Sequence, residues 1–214
     1  MIALNIALYF LLFSGIDRLI TFSGAEGVYY AVHSFHNALV VYVTGEEVWQ
    51  TFTDFGHAIL APNNYTALEL VFALHFYHIA FYMKKFRFDD WLHHILMIGI
   101  ALPIGGLVPA GTLLGFSLFF TTGLPGGIDY AVLFAQRNGW VARETQKRLN
   151  TFLNVWLRSP GCVANAALTF AYLSLAQSPY RVYWIAGAIT AALNYWNGQY
   201  FMRQVVYDLG KLGL

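Results

Sequence analysis

Apolar residues in this chain gather into long blocks, and polar residues fall mostly between the blocks rather than alternating within them. Seven blocks approach the roughly 20 residues that a helix needs to cross a bilayer: 2–20, 27–44, 65–83, 91–107, 110–135, 146–175 and 181–208. Hydrophobic residues make up 58% of the chain and charged residues only 11%, and a water-exposed surface cannot be built from that mixture. The pattern predicts an all-α integral membrane protein, a polytopic seven-helix bundle. Within the fifth block, "GLPGG" at 123–127 predicts a kink or a short re-entrant break. Segment 45–62, "GEEVWQTFTDFGHAILAP", is too polar to cross. It is expected at the interface, with Trp49 and Phe52 as aromatic anchors. The first block lacks a basic leading region and a small-residue cleavage site, so it reads as a retained span and not as a signal peptide.

Seven crossings put the termini on opposite sides, and basic residues test that arrangement. Ten of the twelve fall on one side: Arg18, the Lys84, Lys85 and Arg87 turn, Arg137, Arg143, Lys147, Arg148, Arg203 and Lys211. Arg181 falls on the other side and Arg158 inside a span. The positive-inside rule then places the N-terminus in a lumen and the C-terminus in the cytosol or on a matrix side. A net charge of +1 without a basic block argues against a nucleic-acid partner. A single cysteine, Cys162, excludes an intramolecular disulfide.

The polar residues inside the blocks carry the candidate chemistry. His33 and His36 lie on the second span, His75 and His78 on the third, and His93 and His94 open the fourth. Counted inward from the cytosolic ends at ~1.5 Å per residue, all six occupy the cytosolic half of the membrane. Imidazoles there can bond helix to helix, but a layer of six ionisable groups points to a cavity or pathway. Asn150, Asn154, Arg158, Cys162 and Asn165 follow one another in steps of three or four, which places them on one helical face. An arginine at mid-membrane costs about 2.5 to 3.5 kcal/mol on insertion scales. Arg158 is therefore expected to pair with Glu69, Asp129, a bound anion or water. "HSFH" and "HFYH" invite comparison with metal-binding histidine boxes, but no HxxHH motif occurs, and no metal site is assigned.

Residues 63–102, "NNYTALELVFALHFYHIAFYMKKFRFDDWLHHILMIGIAL", resemble the central motif of TLC-domain membrane proteins, which include the ceramide synthases. Tyr65 and Glu69 match a tyrosine ahead of an acid-bearing apolar segment. Lys84, Lys85, Arg87, Asp89 and Asp90 match a charged turn before the paired His93 and His94. "LNTFLNVWLRSP" and "LNYWNGQYFMRQVV" are similar to later helices of the family, so the resemblance spans about residues 27–208. It implies a six-helix core around a lipid-sized chamber, with residues 1–26 as an extra N-terminal transmembrane helix and 27–214 as the TLC-like transmembrane domain, in a single-domain chain. Glu69, Asp129, Asn154, Arg158 and the four histidines at 33, 36, 75 and 78 are the residues expected to line that chamber. One departure matters: after "GTL" at 111–113, where ceramide synthases carry a histidine and aspartates, this chain reads "LGFSLFFTTGLPGGIDY".

Two functions follow. The first is a protein of the endoplasmic reticulum or another organelle that binds membrane lipids or modulates lipid composition, alone or as a subunit of a larger membrane complex, without full ceramide-synthase chemistry and without a cofactor. The alternative is a lipid N-acyltransferase of sphingolipid metabolism, in which His93 and His94 act on an acyl-CoA substrate, one as general base and the other holding its tautomer.

Overall fold

The computed structural model describes residues 1–175 and 181–213. The connection at 176–180 and the Arg181 side chain, assigned above to the lumenal face, lie outside the described residues. The described residues are helical with no strand among them. In chain order the helices are α1 (Ile2–Phe22), α2 (Val28–Thr53), a one-turn α3 (Phe55–Ala58), α4 (Tyr65–Lys85), α5 (Phe88–Leu107) and α6 (Leu113–Arg137). Then come α7, which runs from Arg143–Leu153 through Asn154–Arg158 into Ser159–Leu175, and α8 (Arg181–Gly210). Four of these, α1, α4, α5 and α6, are both long and apolar enough to cross a membrane.

Local signals set the helix starts. The Asn64 side chain accepts from the Thr66 amide at 3.0 Å and caps α4. Asp90 accepts the Arg87 amide at 2.9 Å, and Asp89 and Asp90 place negative charge on the first turn of α5, where the helix dipole favours it. Three wide π turns interrupt α5, α6 and α7, at Met97–Ala101, Phe119–Gly123 and Asn154–Arg158. Each ends two residues before a proline: Pro103, Pro125 and Pro160. A proline ring would strike the carbonyl four residues back in a regular helix, and the widened turn moves that carbonyl aside. The "GLPGG" stretch thus starts at the last residue of a π turn and continues as α-helix from Leu124 within a continuous α6, and no re-entrant break forms.

The first nine residues of segment 45–62 continue α2 to Thr53. The Glu47 side chain is buried against Gly115 of α6. Thr51 donates to the Glu47 carbonyl at 2.7 Å and bonds Thr112 at 2.7 Å. These inward contacts hold the polar segment in a helix, while Trp49 and Phe52 stay exposed on its outside.

α2 is the central element and touches α1, α4 and α6; α7 and α8 pair with each other and close the far side against α6. Phe13 of α1, Val32 and Val40 of α2, and Leu70, Val71 and Leu74 of α4 form the main core. The opposite face of α1 presents Leu4, Leu8, Leu11 and Leu19 outward, an apolar stripe that hydrocarbon covers at no cost and water does not. One end of the bundle gathers the basic residues: Lys147 pairs with Asp208 at 3.3 Å and Arg137 lies over the Tyr30 ring at 5.6 Å. At the other end Gly111, with φ of 57°, lets the chain run against the backbone of Ala58 and Ile59, a conformation that only glycine adopts freely.

Candidate functional site: an interior imidazole cluster

The three histidine pairs meet because α2, α4 and the start of α5 lie side by side. His33 of α2 stacks on His78 of α4, with ring centres 4.2 Å apart and planes 15° apart. His75 of α4 bonds His93 of α5 through their Nε2 atoms at 3.2 Å. His94 stands edge-on to both His75, at 5.2 Å, and His78, at 5.6 Å. His36 sits one turn deeper on α2 than His33, fully buried, with Phe13 of α1 against its ring at 5.5 Å.

Hydrogen bonds to main-chain carbonyls one turn back assign the tautomers. His33, His75 and His94 each direct Nδ1 at such a carbonyl, of Tyr29 at 2.9 Å, Val71 at 2.7 Å and Asp90 at 2.7 Å. A carbonyl only accepts, so Nδ1 carries the proton and Nε2 of the neutral ring holds the lone pair. His93 must then donate its Nε2 proton to His75. The Nε2 atoms of His78 and His94 are sealed from solvent and have no hydrogen-bond partner among the described residues. Among the described residues, no three histidine, cysteine or acidic groups are arranged to hold a metal ion.

Two cavities flank the cluster. A cavity of about 520 Å³ opens at the basic end, between Tyr29 and Tyr30 of α2, Tyr82, Lys85, Phe86 and Arg87 around the α4–α5 turn, and Asp129 and Tyr130 of α6. Its inner wall backs onto the imidazoles, since Tyr29 lies 4.1 Å from the His33 ring and Tyr130 lies 4.2 Å from it on another side. A second cavity, about 310 Å³, is a groove open to the outside of the bundle; Ile79, Trp91, His94, Ile95, Ile98 and Gly99 line it, and apart from His94 it is apolar. His94 therefore lines an apolar cavity while Phe86, a wall residue of the first, packs on its ring at 4.4 Å.

The polar face of α7 runs alongside. Gln146 donates to Asp129 at 2.9 Å, Asn154 donates to the Asn150 carbonyl at 2.9 Å, and Arg158 donates to the Asn154 side chain at 3.0 Å. Arg158 also lies over the Phe201 ring at 5.0 Å. It forms no ion pair among the described residues, so neither carboxylate named from the sequence reaches it. Asp129 is held by Gln146 at the cavity wall. Glu69 lies on the α1 side of α4 and accepts from Asn5 at 3.1 Å, away from the cluster.

Asp17 escaped the sequence reading. It is buried in α1 and accepts the phenol protons of Tyr77, at 2.5 Å, and Tyr82, at 2.7 Å. Asn37 escaped it too, although its side chain joins His36, at 2.8 Å, to Thr122, at 3.0 Å. A carboxylate within an apolar block was the available signal for Asp17. Asn37 carried a weaker signal of the same kind, an amide inside the apolar block 27–44. Compared with family models, curated proteins and solved structures, the chain matches none.

Proposed function

We propose that this chain is a multi-pass membrane protein that binds lipid in the bundle interior, and that α2, α7 and α8 cross the bilayer with the four more apolar helices in a seven-helix, TLC-like arrangement. The observation that supports it most is the interior imidazole cluster, placed between an apolar cavity and a polar one. Ionisable groups inside a bilayer face a cavity or pathway when they are not merely structural, and this pair of cavities suits an amphiphile with its tail in hydrocarbon and its head among the imidazoles. The basic end faces the cytosol or a matrix, by the positive-inside rule. An organelle such as the endoplasmic reticulum, a role in setting lipid composition and membership of a larger membrane complex belong to this same reading.

The free Nε2 of His94 favours a second reading, lipid N-acylation. With Nδ1–H fixed on the Asp90 carbonyl, Nε2 is available as a general base. An amine nitrogen would attack the thioester carbonyl of acyl-CoA, His94 would take the amine proton, and the departing thiolate would carry it away as the thiol. His93 would hold the neighbouring imidazoles in register through His75. The experiment that tests both readings is mass spectrometry of lipid retained by the purified protein, repeated for His94→Phe and followed by incubation with a long-chain base and an acyl-CoA. Retained lipid that falls in the variant supports the binding reading, and an N-acyl product supports the second. Protein free of lipid under conditions that keep it folded removes the first.

A further inference from the structure

The cavity at the basic end is lined by charges of both signs. Lys85 and Arg87 come from the α4–α5 turn, Asp90 from the first turn of α5 and Asp129 from α6. Asp90 is engaged locally, because it accepts the Arg87 amide at 2.9 Å and stands 4.0 Å from the Arg87 Nε. Asp129 accepts from the neutral Gln146 amide at 2.9 Å. Among the described residues neither Asp129 nor Lys85 has an ion-pair partner. One wall of the cavity thus offers an unpaired anion and another an unpaired cation, on two different helices.

The rest of the lining is largely aromatic. Tyr29 meets Tyr30, Tyr82 and Tyr130 at 5.7, 5.0 and 6.3 Å, with planes 83°, 70° and 76° apart, so the phenols form walls of different orientation and not one flat stack. Tyr130 leans on His33 at 4.2 Å and Phe86 on His94 at 4.4 Å, which braces both rings from behind while they line the cavity. Ring faces here already hold cations: Lys85 Nζ lies 5.7 Å from the centre of the Tyr82 ring, and the Arg137 guanidinium 5.6 Å from that of Tyr30. An aromatic cage suits a quaternary ammonium in particular, since the ring quadrupoles attract its charge and its methyl groups have no hydrogen bonds to lose. At about 520 Å³, the cavity falls within the range of roughly 300–1,000 Å³ occupied by small-molecule sites.

We propose that this cavity binds a phosphocholine head group, with the trimethylammonium against the tyrosine walls on the Asp129 side and the phosphate at Lys85 and Arg87. Walls of opposite charge match a zwitterion better than they match an anion or a cation alone, because either of those leaves one wall charge unpaired. This rests on the reading that the bundle binds lipid, and it names the head group that selects the lipid. The apolar groove lies on the far side of the Phe86–His94 contact. A soluble phosphocholine ester carries the same head-group chemistry without an acyl chain, and the test separates the two sources.

The test uses the full chain in maltoside micelles and four probes that share one acyl chain: oleoyl lysophosphatidylcholine, oleoyl lysophosphatidylethanolamine, oleoyl lysophosphatidic acid and monooleoylglycerol. Glycerophosphocholine is the chain-free probe, and binding is read by native mass spectrometry. The choline lysolipid is expected to bind about tenfold more tightly than the other three oleoyl probes. Asp129→Asn, which keeps an acceptor for Gln146, is expected to abolish the preference over lysophosphatidic acid. Lys85→Gln changes an exposed residue and serves if Asp129→Asn does not fold; it is expected to weaken the three phosphate-bearing probes and to leave monooleoylglycerol unchanged. Equal binding of the choline and ethanolamine probes, a preference that survives in folded Asp129→Asn, or phosphate-bearing probes unaffected by Lys85→Gln overturns this site and leaves lipid binding intact. Glycerophosphocholine bound as tightly as the choline lysolipid supports the head-group site and overturns the lipid reading. Failure of every probe to bind the folded wild type overturns both.

Discussion

Replacing Asp17 by Ala isolates one interaction that ties α1 to the rest of the bundle. The carboxylate accepts from Tyr77 at 2.5 Å and from Tyr82 at 2.7 Å. Tyr77 is fully buried, and among the described residues the only other hydrogen-bond contact of its hydroxyl is the Tyr82 hydroxyl at 3.3 Å. Hydrogen bonds between transmembrane helices average about 0.6 kcal/mol and reach about 1.7 kcal/mol, because the unfolded chain in the membrane also finds partners. Both bonds here are short and converge on the buried Asp17 carboxylate, so values near the upper end apply. Part of the loss is returned when the two phenols bond each other. The net destabilisation is about 2 kcal/mol, which for a chain of this length lowers the melting temperature by about 4 to 8 °C. Thermal unfolding in detergent, followed by tryptophan fluorescence, measures the shift. A double-mutant cycle with Tyr77→Phe assigns it: the coupling is expected at about 1 to 1.7 kcal/mol. An Asp17→Ala protein with unchanged melting, or strict additivity in the cycle, would refute the packing of α1 against α4 described above.

Two further outcomes follow from local geometry. Gly111 and Gly139 both have positive φ, of 57° and 75°, but a Cβ at Gly111 strikes the Ala58 and Ile59 backbone, whereas one at Gly139 meets nothing within 4 Å. Gly139→Ala should therefore cost only the conformational strain, on the order of 1–3 kcal/mol, and Gly111→Ala clearly more; equal melting temperatures for the two variants would contradict this. In the exposed turn after α2, the His57 imidazole donates to Asp54 at 2.7 Å and the His57 amide donates at 3.3 Å, and these bonds hold the Asp54 carboxyl below its ordinary value. Such a contact is complete above the unfolded-state value and is lost as pH falls through the lowered one. His57→Ala should move the Asp54 titration back up in a carbon-13 NMR experiment, and an unmoved titration would count against the bond.

Much of the helical layout was legible because contiguous apolar runs and their polar breaks are local properties. The block at 65–83 and helix Tyr65–Lys85 nearly coincide, as do 181–208 and Arg181–Gly210. That the histidine pairs come together was legible for a related reason: a fixed rise per residue turns sequence distance from a helix end into position along the bundle. What escaped depends on partners distant in sequence. The extension of α2 past Gly45 needs the knowledge that Glu47 meets a glycine, Gly115, on another helix. The fate of "GLPGG" depended on whether a π turn forms ahead of Pro125. Arg158 was matched to the two acids available on other spans, but which helix face meets which is not a local property. Glu69 turns to Asn5 on α1, and Asp129 turns to Gln146.

The central claim is that the imidazole cluster faces the inside of a membrane-embedded bundle and that the leucine stripe of α1 faces lipid. A hydrophobic diazirine dissolved in liposomes generates a carbene that marks only side chains in contact with hydrocarbon, and mass spectrometry of the unmodified sequence locates the marks. Labelling is expected on Leu4, Leu8, Leu11 and Leu19, which are exposed, and not on His33, His36, Tyr77 or His78, which are buried. Carbene insertion at those four interior residues, with the α1 leucines unmarked, would contradict the account.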